Sequence, residues 1–130
     1  MTLLRRVLKV QAGLWVFAGV ALGLFPTRVI SALAQFPVLE VAWLRMLGVM
    51  SVVLALFMFL VAQRLSDVWW WAWAFALLEL GIGAVALLNV IVGEYAGDAW
   101  AWWVLGGVSL AFAVADLFGL AMAGREKPFT

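Results

Sequence analysis

The sequence predicts an all-α fold, an integral-membrane four-helix bundle with a short interfacial helix between spans one and two. Three observations carry that prediction. The chain is 68% hydrophobic and 12% charged, whereas soluble domains run near half apolar and about a quarter charged. Its apolar residues gather into four runs, each near the roughly 20 residues needed to cross ~30 Å of hydrocarbon. Its Lys and Arg residues collect on one side of those runs. At 130 residues there is room for a single transmembrane domain covering the whole chain.

The first span is expected from about Val7 to Phe25, stopping at Pro26. Its basic start (Arg5, Arg6, Lys9) followed by an apolar run is also the pattern of a signal peptide; we expect it to be retained as a span. Residues 27–36 are too short to cross. Val29, Ile30, Leu33 and Phe36 fall at helical spacing, away from Arg28, Ser31 and Gln35, so an interfacial helix is expected there. The second span is placed at about 39–62, ending before Gln63-Arg64. The third is placed at about 68–92, ending before Gly93-Glu94, and the fourth at about 99–123, ending at Gly124-Arg125.

Orientation follows from the cations. Arg5, Arg6, Lys9, Arg64, Arg125 and Lys127 share one side, and the opposite loops hold only Arg28. The positive-inside rule then puts both termini in the cytoplasm of a multi-pass protein of the plasma (inner) membrane. Tryptophans are placed to match. Trp69, Trp70, Trp71 and Trp73 open the third span at the inner interface, and Trp100, Trp102 and Trp103 open the fourth at the outer one. Amphipathic rings favour the headgroup level, so these are expected to be interface anchors. Stacking on a quinone, carotenoid or lipid tail is the sharper alternative.

Helices in lipid associate through close packing of small residues, and each span has a seam of them. Gly19 and Gly23 lie on the first, with Ala12 two turns earlier. The second has Arg45, Gly48 and Ala55, with Ser51 alongside; the third has Ala72, Ala76, Glu79, Gly83 and Ala86. The fourth has Gly106, Ser109, Ala113 and Asp116. Gly19, Gly23, Gly48, Gly83 and Gly106 are therefore expected at helix crossings. Arg45, Glu79 and Asp116 fall on these seams, where a membrane protein must keep ions, since a charge in hydrocarbon costs at least ~2.5–3.5 kcal/mol. With ~1.5 Å rise per residue, Glu79 lies near the midplane and Asp116 in the inner half. Arg45 lies ~9 Å below the outer end of its span. Arg45 and Glu79 are offset by roughly 10 Å along the normal, a gap a long Arg side chain could mostly close. The expected arrangement is an intramembrane polar cluster of Arg45, Glu79 and Asp116 that fixes helix register. A midplane carboxylate for proton or substrate binding, and contacts with a partner subunit, stand as alternatives.

The layout resembles the small DoxX-like bacterial membrane proteins, four-helix chains of about this size. The resemblance rests on the Gly-rich first span ending in Pro26, the short segment after it, Leu-Arg-Met-Leu-Gly at Leu44–Gly48, and Arg64–Asp67 before the third span. It implies the four-helix fold and, for some members, a link to quinone-dependent oxidation or to larger membrane assemblies.

Function is narrowed mostly by what the sequence lacks. A net charge of +1 offers no basic field for nucleic acid. With no Cys and no His there are no disulfides, thiol nucleophiles or iron–sulfur ligands, and ordinary haem ligation, most zinc sites and the usual proton shuttle are removed. The expectation is a cofactor-free accessory or scaffold protein in preference to an enzyme, with no metal site. Its expected partners are the lipid bilayer, a lipid or quinone, and partner subunits or further copies of itself. One alternative is a small proton-coupled transporter using Glu79; small multidrug transporters are also four-helix chains, but carry their essential Glu in the first span, which here has none. The other is a quinone-linked oxidoreductase subunit or a membrane isomerase with Glu79 and Asp116 as acid and base.

Overall fold

Proline sets the first corner of the molecule. In the computed structural model, which describes residues 1–35, 40–93 and 97–126, helix α1 runs Thr2–Leu24 and breaks at Phe25, whose φ −130°, ψ 55° lies outside the helical region. The ring of Pro26 disfavours helical geometry at the residue before it, and Pro26 then occupies the first turn of α2 (Pro26–Ala32), where its missing N–H is no loss. Helix α3 spans Val41–Gln63 and α4 is the single turn Leu65–Val68. A 3₁₀ turn, Trp69–Trp71, leads into α5 (Ala72–Val92). Gly93, at φ 78°, ends α5 in the left-handed conformation that Gly adopts without steric cost. Helix α6 spans Trp100–Glu126.

Four helical stretches are long and apolar enough to cross a membrane: Thr2–Leu24, Val41–Gln63, Leu65–Val92 and Trp100–Glu126. This is the build of a multi-pass membrane protein. The first begins five residues earlier than its apolar run suggests, because Thr2–Arg6 continue the helix through the basic segment. The outward surface carries large apolar side chains, Phe17, Ile91 and Phe118 among them, each at least 65% exposed. A water-soluble protein does not present such a shell. Segment 27–36, read as interfacial, is helical as far as Ala32; Phe36 lies outside the described residues.

The helices associate as two pairs, α1 with α3 and α5 with α6, joined chiefly where α1 meets α6. Glycines make the close approaches. A Cβ on Gly48 would come within 2.6 Å of Gly19 O and 2.7 Å of Gly23 N, so α1 and α3 cross backbone to backbone. A Cβ on Gly83 would meet Leu110, and one on Gly106 would meet Leu87, so α5 and α6 cross glycine against leucine. Between the pairs, Gly119 of α6 lies against the backbone of Leu4.

The end of the molecule carrying both termini is sealed, with Leu4, Leu8, Met58, Leu65, Trp69 and Leu120 in one apolar core. The Met1 ammonium pairs there with Glu126 at 2.9 Å, and Arg5 Nε donates to Ala62 O. Phe57 of α3 stacks on Trp71 at 5.6 Å and meets Phe75 of α5 edge-on at 5.9 Å. At the opposite end, Asp98 N donates to Ala34 O, Gln35 Nε2 to Asp98 O and Trp102 Nε1 to Gln35 Oε1. Between these ties the pairs part.

Candidate functional site

Where the pairs part lies a cleft of about 290 Å³, near the lower end of ordinary ligand pockets at about 300–1,000 Å³. Its wall is apolar, with Leu14 and Phe17 from α1, Ile82 from α5, and Leu105, Val108 and Phe112 from α6. Polar groups reach it from Trp15, Ser51, Glu79 and Ser109.

Glu79 is held at the cleft by α1. Ala72, Ala76, Glu79, Gly83 and Ala86 form the buried face of α5, so the carboxyl points into the bundle and is 3% exposed. Gln11 Nε2 donates to Glu79 Oε1 at 2.8 Å and Trp15 Nε1 donates to the same oxygen at 2.7 Å. Gln11 and Trp15 are four residues apart, one above the other on a single helix face. Hydrogen bonds to a charged acceptor contribute about 1.5–3 kcal/mol each when net favourable in water-soluble proteins. Within membranes measured values run nearer ~0.6–2 kcal/mol. Among the described residues nothing donates to Oε2, and Glu79 lines the cleft.

Asp116 completes the group from α6. Gly106, Ser109, Ala113 and Asp116 are all buried on one face, and Asp116 lies beside Gln11 and within electrostatic reach of Glu79. It is 0% exposed, and neither carboxyl oxygen has a hydrogen-bond partner among the described residues. Gln11, also fully buried, leaves its Oε1 equally without a donor.

Arg45 is not part of this group. It is exposed on α3 and forms no hydrogen bond or ion pair with a described residue. The buried face there runs Leu44, Gly48, Ala55, Met58. Leu44 is one turn from Gly48 and takes the inward position, while Arg45 lies about 100° round the helix. The expected cluster of Arg45, Glu79 and Asp116 is therefore corrected to Gln11, Trp15, Glu79 and Asp116. Gln11 was legible as the one uncharged polar side chain in the first span, in step with Trp15, Gly19 and Gly23 at four-residue intervals.

No protein-family model, curated protein or solved structure matches the chain.

The remaining singled-out residues divide. Gly19, Gly48, Gly83 and Gly106 are buried at the crossings, while Gly23 offers Gly48 its backbone but would have open space around its own Cβ. Trp70, Trp71, Trp73, Trp100 and Trp103 are exposed, and Trp102 is half-buried on Gln35. Trp69 differs from the expected anchor. It is 4% exposed and packs in the sealed core near Gly124, because the 3₁₀ turn swings it inward. Ser51 Oγ bonds back to Leu47 O at 2.8 Å and so is spoken for. The chemistry within reach of the cleft is therefore that of two carboxyls and an amide, whose oxygens can accept hydrogen bonds, protons or cations, with the Ser109 hydroxyl and the Trp15 indole N–H beside them. No nucleophile with an adjacent base is present among the described residues.

Proposed function

We propose that this chain is a small accessory protein of the plasma membrane whose cleft holds one single-chain amphiphile with a hydroxyl-bearing head, a quinol or an isoprenoid or acyl alcohol. The observation that carries this reading is the free side of Glu79. One oxygen is fixed by Gln11 and Trp15, and the other has no protein donor at the polar end of an otherwise apolar cleft. A hydroxyl head donating to Oε2 would satisfy it, while the chain leaves along Leu14, Phe17 and Phe112 toward the bilayer. The resemblance to DoxX-like proteins, some of which are linked to quinones, leans the same way. Accessory and scaffold roles agree with the lack of a nucleophile and of Cys and His.

Native mass spectrometry of the protein released from its own membrane tests the reading. One amphiphile mass per chain is expected, and Ala18→Trp, which fills the cleft from an exposed position of α1, should remove it. A wild-type chain that emerges without adduct, indistinguishable from Ala18→Trp, would refute the proposal. The same spectra report co-purifying subunits or further copies of the chain. Both termini are proposed to be cytoplasmic, from the distribution of Lys and Arg. Reporter fusions after Glu94 should then read extracytoplasmic and fusions after Lys127 cytoplasmic; a cytoplasmic reading at Glu94 would reverse the assignment.

A further inference from the structure

The geometry points to a small-cation site formed by Asp116, Gln11 and Glu79, occupied by a proton or by Na⁺. Two buried carboxyls from different helices lie within electrostatic reach of one another in the interior of the bundle. Two anions so placed repel one another and are poorly solvated, so the pair requires a positive partner. Among the described residues the protein supplies none beside them. On α1 the nearest cations are Arg5, committed to Ala62 O, and the exposed Arg6 and Lys9. On α6 they are Arg125, exposed in the last turn, with Glu126 tied to the Met1 ammonium. On α3 both Arg45 and Arg64 are exposed, and α5 offers only Glu79 itself.

Hydrogen-bond accounting makes the same point independently of charge. Asp116 Oδ1, Asp116 Oδ2 and Gln11 Oε1 are three buried acceptors without a donor among the described residues, and buried polar atoms are rarely left so. Gln11 gives one amide hydrogen to Glu79, and this side chain, which lies beside Asp116, keeps an Oε1 with no donor among the described residues. A hard cation held by oxygens would satisfy this set at once: a proton on one carboxyl donating to Gln11 Oε1, or Na⁺ between carboxyl and amide oxygens. Access is one-sided. The terminal end is closed by Leu4, Leu8 and Leu120, whereas Glu79 opens on the cleft. The cation therefore enters past Glu79, and an amphiphile seated there covers its route.

This inference shares Glu79 with the proposed amphiphile site but stands without it, and the test separates them. Thermal stability is measured in detergent across pH at fixed salt, and across NaCl against choline chloride at fixed pH, for wild type, Asp116→Asn, Gln11→Leu and Ala18→Trp. A bound cation stabilises the folded state by mass action. The wild type should gain stability with protons, Na⁺ or both, Asp116→Asn should lose that dependence, and Gln11→Leu should need more cation for the same gain. Infrared difference spectra identify the occupant. A protonated-carboxyl band absent from Asp116→Asn and indifferent to Na⁺ means a proton; a band that Na⁺ displaces means a site shared by both. Ala18→Trp should keep the cation dependence even where it loses the amphiphile, so failure of one reading leaves the other standing. A folded wild type with no such band, and with stability matching Asp116→Asn at every pH and salt, would overturn the proposal.

Discussion

The two halves of the seam between the helix pairs are built differently. In the half near the termini, leucines from α1 and α6 fill the space with Met58, Leu65 and Trp69, and Gly119 lets α6 touch the backbone of α1. In the other half the same helices stand apart, and their facing side chains line a cleft. Glu79, Gln11 and Asp116 sit at the boundary. The contrast teaches that stability and chemistry are separated along one seam: close packing holds the pairs together at one end, which leaves the other free to stay open.

Substitutions that cross this boundary test the contrast. The largest effect is expected in the sealed half. A Cβ at Gly119 would lie 2.9 Å from Leu4 Cα, an obstacle of backbone and not of a flexible tip, so Gly119→Leu should destabilise by about 3 kcal/mol or more, read as a lowered Tm in detergent. An unchanged Tm would mean the seal is not where the packing places it.

At the boundary the effect is intermediate. Glu79→Leu removes the acceptor shared by Gln11 Nε2 and Trp15 Nε1 and should cost about 1–3 kcal/mol, the range for stranding a buried donor. Glu79→Gln keeps an oxygen of similar reach and should cost less than half as much. Equal losses for the two variants would show that charge, and not the hydrogen bonds from α1, holds this residue.

The smallest effect belongs to the open half. Ala18→Trp adds bulk to a cleft wall that is already exposed, so Tm should stay within about 0.5 kcal/mol equivalent of wild type, as for ordinary surface changes. A loss as large as that of Gly119→Leu would show the two halves to be packed alike.

The four long helices were legible because run length and composition suffice to place an apolar span, and the inward faces of α5 and α6 because small residues recur there at helical spacing. Glu79 and Asp116 could be assigned to those faces from sequence alone. Their partners could not. Which helix lies against α5 depends on how two pairs meet, and no local pattern records that Gln11 of α1 reaches Glu79, 68 residues away. Arg45 was misplaced by a subtler error, since a seam drawn through Gly48 and Ala55 fits Arg45 at three residues' spacing and Leu44 at four. The helix turns Leu44 inward, and an exposed Arg near the start of α3 has no need of a buried counter-ion.

The polar ties at the loop end have a bearing on what the cleft can admit. Asp98 and Trp102 hold the approach to α6 against Ala34 and Gln35 after α2, while Met1 and Glu126 close the far end. The opening between them is thus a slit fastened at top and bottom, whose edges can bow but not swing apart like a hinge. Such a slit sorts its guests by girth and is indifferent to their length. Under the proposed function, that geometry favours a slender single chain, sliding in sideways from the bilayer with its tail trailing outside, over a molecule with two tails side by side.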